Sequence, residues 1–118
     1  MQYRDFGNLG YKISALGFGA MRLPMKGDHV DEEQSVAMIH RAFELGVNYI
    51  DTADPYCNGE SEVVVGKALK GWRDKVWLST KNWKNDKPAD EWREMLDKQL
   101  KKLDVDYLDV YHMHGINW

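Results

Sequence analysis

The sequence predicts an α/β fold in which a β-hairpin precedes about four parallel strands and three helices, the order of the first half of a (β/α)8 barrel. Short apolar runs alternate with helical segments, which is typical of parallel strands joined by right-handed crossovers. Asp51, Lys81 and His114 end three of these runs, and barrels carry their chemistry at the carboxyl ends of strands. Because a complete barrel needs roughly 250 residues, we expect residues 1–118 to form a single partial domain.

The start of the chain predicts a hairpin and the first barrel strand. Tyr3–Phe6 and Tyr11–Ser14 flank Gly7-Asn8-Leu9-Gly10, and glycine and asparagine tolerate the positive φ of tight turns. Ala15–Gly19 is short and mostly apolar, so it predicts a strand. Residues 22–30 contain a proline and a glycine and predict a loop.

The first helix has the clearest start. Asp31 can cap its N-terminus, and Gln34, three residues later, completes a capping-box pattern. Val36, Ile39 and Phe43 then fall on one face, as expected of a helix packed on a sheet. The remaining predicted elements alternate: a strand at Val47–Thr52, a helix at Ser61–Lys70, a strand at Val76–Lys81, a helix after Pro88 and a strand at Tyr107–His114.

Composition excludes several classes of function. The net charge of −3 favours neither nucleic acid nor an anionic membrane surface. No apolar stretch approaches the roughly 18 residues of a membrane helix, and the start of the chain shows no secretory signal. The single cysteine, Cys57, suits a reducing compartment. We therefore expect a cytoplasmic protein with no nucleic-acid or membrane partner.

Four side chains form a candidate catalytic set, namely Asp51, Tyr56, Lys81 and His114. A phenol is a poor acid at neutral pH, and a nearby ammonium group lowers the pKa of a phenol. We expect Asp51 to hold Lys81 beside Tyr56, so that the phenol acts as a general acid toward a carbonyl oxygen. His114 is expected to hydrogen-bond the same oxygen. The alternative for Asp51 and Lys81 is a structural salt bridge at a strand end.

A metal site is the competing hypothesis for the histidines. His112 and His114 share one face of a predicted strand, an arrangement by which barrel hydrolases also hold zinc. A zinc site needs further ligands, and His29 and His40 fall in a predicted loop and a predicted helix. The sequence therefore favours no metal, with His112 as a hydrogen-bonded interior residue.

Several segments resemble the aldo-keto reductase family in order and spacing, over essentially all 118 residues. They are Leu16-Gly17-Phe18-Gly19-Ala20-Met21-Arg22-Leu23-Pro24, Asn48-Tyr49-Ile50-Asp51-Thr52-Ala53-Asp54-Pro55-Tyr56, Asn58-Gly59-Glu60-Ser61-Glu62, Ser79-Thr80-Lys81 and Asp106-Tyr107-Leu108-Asp109-Val110-Tyr111-His112-Met113-His114-Gly115. The first segment and His114-Gly115-Ile116-Asn117 are similar to the bacterial and archaeal branch, which includes iron–sulfur-containing members. The sequence itself has no cysteine-rich iron–sulfur segment.

The resemblance implies the N-terminal half of a TIM barrel that serves NADP- or NAD-dependent reduction of an aldehyde or ketone, a small-molecule carbonyl substrate. The family's catalytic residues fall on Asp51, Tyr56, Lys81 and His114. Its cofactor-binding positions fall on Gly19, Ala20, Met21 and Asp51, and its substrate-pocket positions on Met21, Trp83 and His114. Packing is the alternative role for Trp83.

Departures from the family pattern predict an altered pocket. Many members have threonine and tryptophan where this chain has Ala20 and Met21, and glycine where it has Cys57. Two alternatives to an active reductase stay open: a catalytically incompetent half-barrel, and a binding subunit that senses nicotinamide redox state. Because the first and fourth strands of a half-barrel are open edges, we also expect self-association.

Overall fold

The computed structural model describes residues 1–115, so Ile116 and Asn117 of the branch-typical segment lie outside the described residues. Strands and helices alternate along most of the chain. In chain order the elements are β1 Tyr3–Asp5, β2 Lys12–Ser14, β3 Phe18–Gly19, β4 Met25–Lys26, β5 His29–Val30, α1 Glu32–Glu44, β6 Tyr49–Asp51, α2 Ser61–Ala68, β7 Trp77–Asn82, α3 Ala89–Leu103 and β8 Val110–Met113. Short 3₁₀ turns lie at Ala20–Arg22, Tyr56–Gly59 and Arg73–Lys75.

Four strands form one parallel sheet in the order β3-β6-β7-β8. Within this sheet each strand pairs with the one that follows it in the chain. The helices α1, α2 and α3 make the three crossovers. The register aligns Gly19, Asp51, Ser79 and Val110 in one row across the sheet. Parallel strands added in this order begin a (β/α) barrel. The predicted α/β class, with about four parallel strands and three helices, is confirmed.

The two faces of the parallel sheet have different surroundings. Ile50 and Leu78 are fully buried and join one hydrophobic cluster with residues of all three helices, including Ile39, Val65 and Leu103. The opposite face carries half-buried side chains: Tyr49, Asp51, Trp77 and Lys81. The helices therefore cover the outer face, and the candidate catalytic residues point to the side that is the interior of a barrel.

The β1–β2 hairpin lies at the amino end of the sheet. Its Tyr11 stacks on Trp77 of β7, with ring centroids 3.8 Å apart, and Phe6 lies 6.3 Å from the ring of Tyr49. Trp77 and Tyr49 are the first residues of their strands. The hairpin therefore covers the end of the sheet opposite to the candidate catalytic residues.

The prediction of a plain loop at residues 22–30 is wrong, because β4 and β5 form a small antiparallel hairpin there. Gly27 occupies the first position of the two-residue turn with φ of +61°, a conformation that glycine adopts without strain. The Gly27-Asp28 pair was a turn signal in the sequence, but strands of two residues are too short to show a period.

Other strands are shorter than predicted, and side-chain hydrogen bonds lie near their ends. The Ser14 hydroxyl donates to the carbonyl oxygen of Leu16 at 2.7 Å, which accompanies the bend before β3. The Asp109 carboxylate accepts from the amide of Leu78 at 2.8 Å, and β8 begins at the next residue, Val110. Within residues 1–115, no helix is long and apolar enough to cross a membrane.

Candidate active site

The candidate site lies where β3, β6 and β7 reach their carboxyl ends. Asp51 is the last residue of β6, and the register places it between Gly19 of β3 and Ser79 of β7. Lys81 follows Ser79 by two residues, so both side chains project from the same face of β7. Parallel pairing therefore brings Asp51 and Lys81 to one edge of the sheet from positions thirty residues apart in the chain.

Asp51 and Lys81 form a tightly held ion pair. The Lys81 Nζ lies 2.5 Å from Asp51 Oδ2 and donates a second hydrogen bond to the carbonyl oxygen of Thr52 at 2.8 Å. The Ser79 hydroxyl donates to Asp51 Oδ1 at 2.6 Å. Both carboxylate oxygens and two of the three ammonium donors are thus engaged. The ammonium group consequently has a fixed position at the mouth of the sheet.

Tyr56 and His114 complete the cluster. The Lys81 Nζ lies 5.0 Å from the centroid of the Tyr56 ring. The rings of Tyr56 and His114 meet edge to face, with centroids 5.9 Å apart and an interplanar angle of 88°. Both side chains are half-buried. The structure therefore brings together all four residues of the predicted catalytic set, although their roles in catalysis stay a prediction.

Tyr56 begins a strained turn. Cys57 and Asn58 follow it with φ of 52° and 56°, a left-handed conformation that is uncommon for residues other than glycine. Such residues cost of the order of 1–3 kcal/mol each and persist only where surrounding contacts hold them. The Cys57 Sγ lies 3.4 Å from the carbonyl oxygen of Met21, and Asn58 Nδ2 donates to the carbonyl oxygen of Asp28 at 3.0 Å. The turn is thus tied to the 3₁₀ turn after β3 and to the β4–β5 hairpin.

A carboxylate extends the attachment of this turn to the β4–β5 hairpin. Glu60 accepts from the backbone N–H of Val30 at 2.8 Å and lies 2.6 Å from the Nδ1 atom of His29. These two hydrogen bonds hold the pKa of Glu60 below its ordinary value. Because Glu60 follows the turn that begins at Tyr56, the hairpin helps to fix where that turn lies.

His114 is placed by the segment that follows β7. Its backbone N–H donates to the carbonyl oxygen of Asn82 at 2.7 Å, and its own carbonyl oxygen accepts from Asn85 Nδ2 at 2.8 Å. Asn82 is fully buried and its Nδ2 donates to the carbonyl oxygen of Trp92. The imidazole position therefore depends on the loop between β7 and α3.

The predicted cofactor positions form a small, smooth edge beside Asp51. Gly19 has an extended backbone, and a Cβ atom there would meet nothing within 4 Å. Ala20 is fully buried, and its carbonyl oxygen accepts from the Ser61 hydroxyl at 2.8 Å. Met21 is 54% exposed. The backbone at Gly19 is therefore open to close approach, and the cofactor role of these residues stays a prediction.

The predicted pocket residue Trp83 is 48% exposed, which leaves its ring available at the surface. Its role as a pocket wall stays a prediction. The prediction of an interior His112 is wrong, because its side chain is exposed and makes no hydrogen bond within residues 1–115. The end of β8 on which it lies has no further strand beside it in the described chain.

The other histidines are engaged elsewhere. His29 pairs with Glu60, and the Nε2 atom of His40 lies 2.9 Å from the carbonyl oxygen of Ala68. In the part of the chain that the structure describes, no group of three or more histidine, cysteine or acidic residues is arranged to hold a metal ion.

Sequence reasoning missed a buried polar cluster behind the site. Glu62 of α2 and Gln99 of α3 are both fully buried. Glu62 precedes Val65 and Leu69 by three and seven residues, which places a carboxylate on the apolar stripe of its helix. Gln99 likewise lies between Met95 and Leu103, the residues that α3 buries. A polar residue on each buried stripe was the signal that could have found this cluster.

Comparison with known proteins identifies the family. Residues 15–117 match the model of the Aldo/keto reductase family. The chain is 37% identical to the L-galactose dehydrogenase of Arabidopsis thaliana over 125 residues, which cover 100% of the chain and 39% of that protein. It is 46% identical to the methylglyoxal reductase DkgA of Salmonella typhimurium over 108 residues, which cover 89% of the chain and 35% of that protein. The chain thus spans well under half the length of these relatives.

Solved structures agree with the sequence match. The thermostable aldo-keto reductase Tm1743, crystallised with the inhibitor epalrestat, superposes with a TM-score of 0.86 at 33% identity, over 99% of this chain and 44% of that one. An aldo-keto reductase of Klebsiella pneumoniae in complex with NADPH superposes with a TM-score of 0.78 at 33% identity, over 87% of this chain and 36% of that one. The fold is therefore a partial TIM barrel, and the family resemblance of the sequence motifs is confirmed. The chain belongs to the aldo-keto reductase family.

Proposed function

We propose that this protein serves the NAD(P)H-dependent reduction of an aldehyde or ketone to an alcohol, with Tyr56 as the general acid. One observation carries the proposal: the Lys81 ammonium, held 2.5 Å from Asp51, lies 5.0 Å from the centroid of the Tyr56 ring. A phenol, a fixed cation and a carboxylate at the mouth of a parallel sheet are the groups that proton delivery to a carbonyl oxygen requires.

The cofactor is assigned to the edge formed by Gly19, Ala20, Met21 and Asp51. Support comes from the absence of any atom within 4 Å of a Cβ placed on Gly19 and from the NADPH bound to the Klebsiella relative. The reduced nicotinamide supplies a hydride when bound. The relative affinities for NADPH and NADH decide which of the two cofactors the chain uses.

Tyr56 donates its phenolic proton to the substrate oxygen as the carbonyl carbon is reduced. The phenolate that remains carries negative charge, and the nearby Lys81 ammonium stabilises that charge electrostatically. Asp51 and the carbonyl oxygen of Thr52 keep the ammonium in place throughout. In the reverse direction the Tyr56 phenolate accepts the proton of an alcohol.

His114 is assigned the orientation of the substrate. Its ring lies edge-on to Tyr56, so an oxygen atom that hydrogen-bonds the phenol can also reach the imidazole. Met21 and Trp83, which are about half exposed, are assigned to the pocket wall. An apolar wall with two polar groups at one end suits a small carbonyl compound.

The relatives guide the choice of substrate class. The relative with 46% identity is named a methylglyoxal reductase, so a small α-oxoaldehyde is the first candidate for this chain. The plant relative is named a sugar dehydrogenase and favours an oxidisable sugar as the alternative. We also place the protein in the cytoplasm, which its single half-buried cysteine supports.

The test combines binding and turnover on the purified chain. NADPH and NADH binding is measured by quenching of tryptophan fluorescence, and methylglyoxal reduction by the absorbance of the reduced cofactor. We expect Tyr56→Phe to lower kcat by about 10² or more, the usual contribution of a general acid, while the affinity for the cofactor stays unchanged. Tyr107→Phe is the matched control, because that ring is 51% exposed and stacks on Arg73 through its face.

Equal turnover of the Tyr56→Phe and Tyr107→Phe variants would contradict the assigned role of the phenol. A chain that binds neither cofactor would contradict the proposal as a whole. Binding without turnover in the wild-type chain would instead favour a nicotinamide-sensing subunit.

A further inference from the structure

Glu62 is a carboxylate with no exposure to solvent, in the first turn of α2. A buried charge is tolerated only where other groups compensate it. Its Oε1 atom accepts hydrogen bonds from the Thr80 hydroxyl and from Gln99 Nε2, both at 2.7 Å. Its Oε2 atom lies 3.2 Å from the Lys102 Nζ, at an angle that makes this contact an ion pair rather than a hydrogen bond. Glu62 therefore joins α2 to β7 and to α3.

Gln99 connects this carboxylate to the strand that carries Lys81. Its Oε1 atom accepts from the Tyr111 hydroxyl at 2.7 Å, which fixes the orientation of the amide. The Nε2 atom is then directed at Glu62 and also donates to the carbonyl oxygen of Lys81 at 3.0 Å. Burial raises the pKa of Tyr111 to about 12, so its phenol stays a donor at neutral pH. The amide thus holds the backbone at Lys81 itself.

Lys102 connects the same carboxylate to the loop that leads to Tyr56. Its Nζ lies between two acids, 3.2 Å from Glu62 and 3.0 Å from Asp54 Oδ1. Asp54 lies three residues after Asp51 and two before Tyr56. The Lys102 side chain is only 19% exposed, whereas Lys98, the second cation near Asp54, is 60% exposed and more distant at 3.4 Å. Lys102 is therefore the stronger anchor of this loop.

We infer that Lys102 is a positioning residue for carbonyl reduction: together with Glu62 and Gln99, it fixes the loop before Tyr56 relative to the strand end that carries Lys81. This inference rests on the proposed function. The Asp51–Lys81 pair joins the two catalytic segments on the inner side of the sheet. Lys102, Glu62 and Gln99 join the same two segments on the helix-covered side. The distance between the Lys81 ammonium and the Tyr56 phenol is thus set from both sides of the sheet.

Stability alone is a weak reason for such a cluster. The net contribution of a buried ion pair is small, since desolvation offsets most of the attraction, and an apolar replacement is often as stable. Hydrogen bonds are directional, and those of the cluster fix two specific groups: Gln99 holds the carbonyl oxygen of Lys81, and Lys102 holds the carboxylate of Asp54. Apolar side chains could not fix these groups in the same way.

The test replaces the cation and keeps its length. Lys102→Met is compared with Lys101→Met, the same change at the preceding position of α3, where the side chain is exposed and forms no ion pair within residues 1–115. Amide hydrogen exchange is measured by mass spectrometry over residues 53–59, over α3 and over the β1–β2 hairpin. Steady-state kcat and KM for methylglyoxal are measured on the same samples. Lys102→Arg restores the charge and serves as the rescue variant.

We expect Lys102→Met to accelerate exchange at residues 53–59 more than in the β1–β2 hairpin, and to lower kcat about tenfold with KM nearly unchanged, as a displaced acid would. Lys101→Met should match the wild type, and Lys102→Arg should recover most of kcat. Equal behaviour of the two methionine variants would overturn the inference. So would an acceleration of exchange by the same factor in every segment, because that result indicates a role in stability alone.

Failure of the proposed function gives a different result. A wild-type chain that reduces no carbonyl compound removes the kinetic part of the test. The exchange comparison still decides whether Lys102 fixes the loop, because it needs neither cofactor nor turnover. If the chain precipitates with methionine at position 102, Glu62→Gln removes the same charge pair and keeps an acceptor for Thr80 and Gln99.

Discussion

Gly66→Ala should destabilise the chain, although alanine is the better helix former. Gly66 lies within α2, and a Cβ atom there would meet the carbonyl oxygen of Leu103 at 2.3 Å and its carbonyl carbon at 2.7 Å. Relief requires the oxygen contact to open to at least 3.0 Å by movement of backbone atoms at the end of α3. Overpacking of this kind costs about 1–3 kcal/mol, and the upper end applies because backbone atoms cannot rotate away.

The gain in helix propensity is about 1 kcal/mol, so we expect a net loss of about 2 kcal/mol in the free energy of unfolding. For a domain of this size, that loss lowers Tm by roughly 8 °C. Urea unfolding followed by tryptophan fluorescence measures it, since the chain has five tryptophans. Gly19→Ala is the control: its Cβ meets nothing within 4 Å and φ is −95°, so stability should stay within about 0.5 kcal/mol. Equal stability of Gly66→Ala and Gly19→Ala would contradict the close approach of α2 and α3.

Two further predictions concern acid and association. Burial alone would raise the pKa of Asp54, but the hydrogen bond and charge of Lys102, with a smaller effect of Lys98, lower it below its ordinary value of 3.8. The Asp54 carboxylate therefore stabilises the fold above about pH 4, and this stabilisation is lost as the pH falls. The difference in unfolding free energy between the wild type and Asp54→Asn should shrink in acid. A difference independent of pH would count against the ion pair. Within residues 1–115, β3 and β8 form the edges of the parallel sheet, so a chain of these residues alone should associate, with two copies closing one barrel by two-fold pairing. Size exclusion with light scattering measures this, and a monodisperse monomer at high concentration would refute it.

The order of elements and the meeting of the candidate catalytic residues were predictable from the sequence. Parallel strands bring their carboxyl ends to one edge, so residues that end successive apolar runs, such as Asp51 and Lys81, must be neighbours once the runs are recognised as strands. The proximity of Asp51 and Lys81 can be predicted without knowing the conformation of the loops. The prediction succeeded there because strand geometry, rather than side-chain detail, determines the result.

Loop geometry and buried polar contacts were not predictable in the same way. Cys57 adopts a left-handed conformation that its own propensity disfavours, so contacts with distant segments must determine it. His112 was expected inside because a strand pattern assumes a neighbour on both sides, and β8 pairs only with β7 in the described chain. Glu62 and Gln99 interrupt the apolar faces of their helices, which indicates that they are buried. The helical period does not predict which groups they hydrogen-bond.

The position of Tyr56 therefore depends on segments that lie far from it in the chain. The β4–β5 hairpin holds its turn through Glu60, the inner side of the sheet faces it with Lys81, and Lys102 of α3 holds the preceding loop through Asp54. Each of these contacts crosses at least 25 residues of sequence, so a denatured chain has none of this geometry. The role proposed for Tyr56 requires its phenol to be positioned to a fraction of an ångström, and contacts from three directions constrain that position better than one. The left-handed conformation at Cys57 persists for a related reason: contacts with distant segments hold this turn, and the Cys57 Sγ lies 3.4 Å from the carbonyl oxygen of Met21.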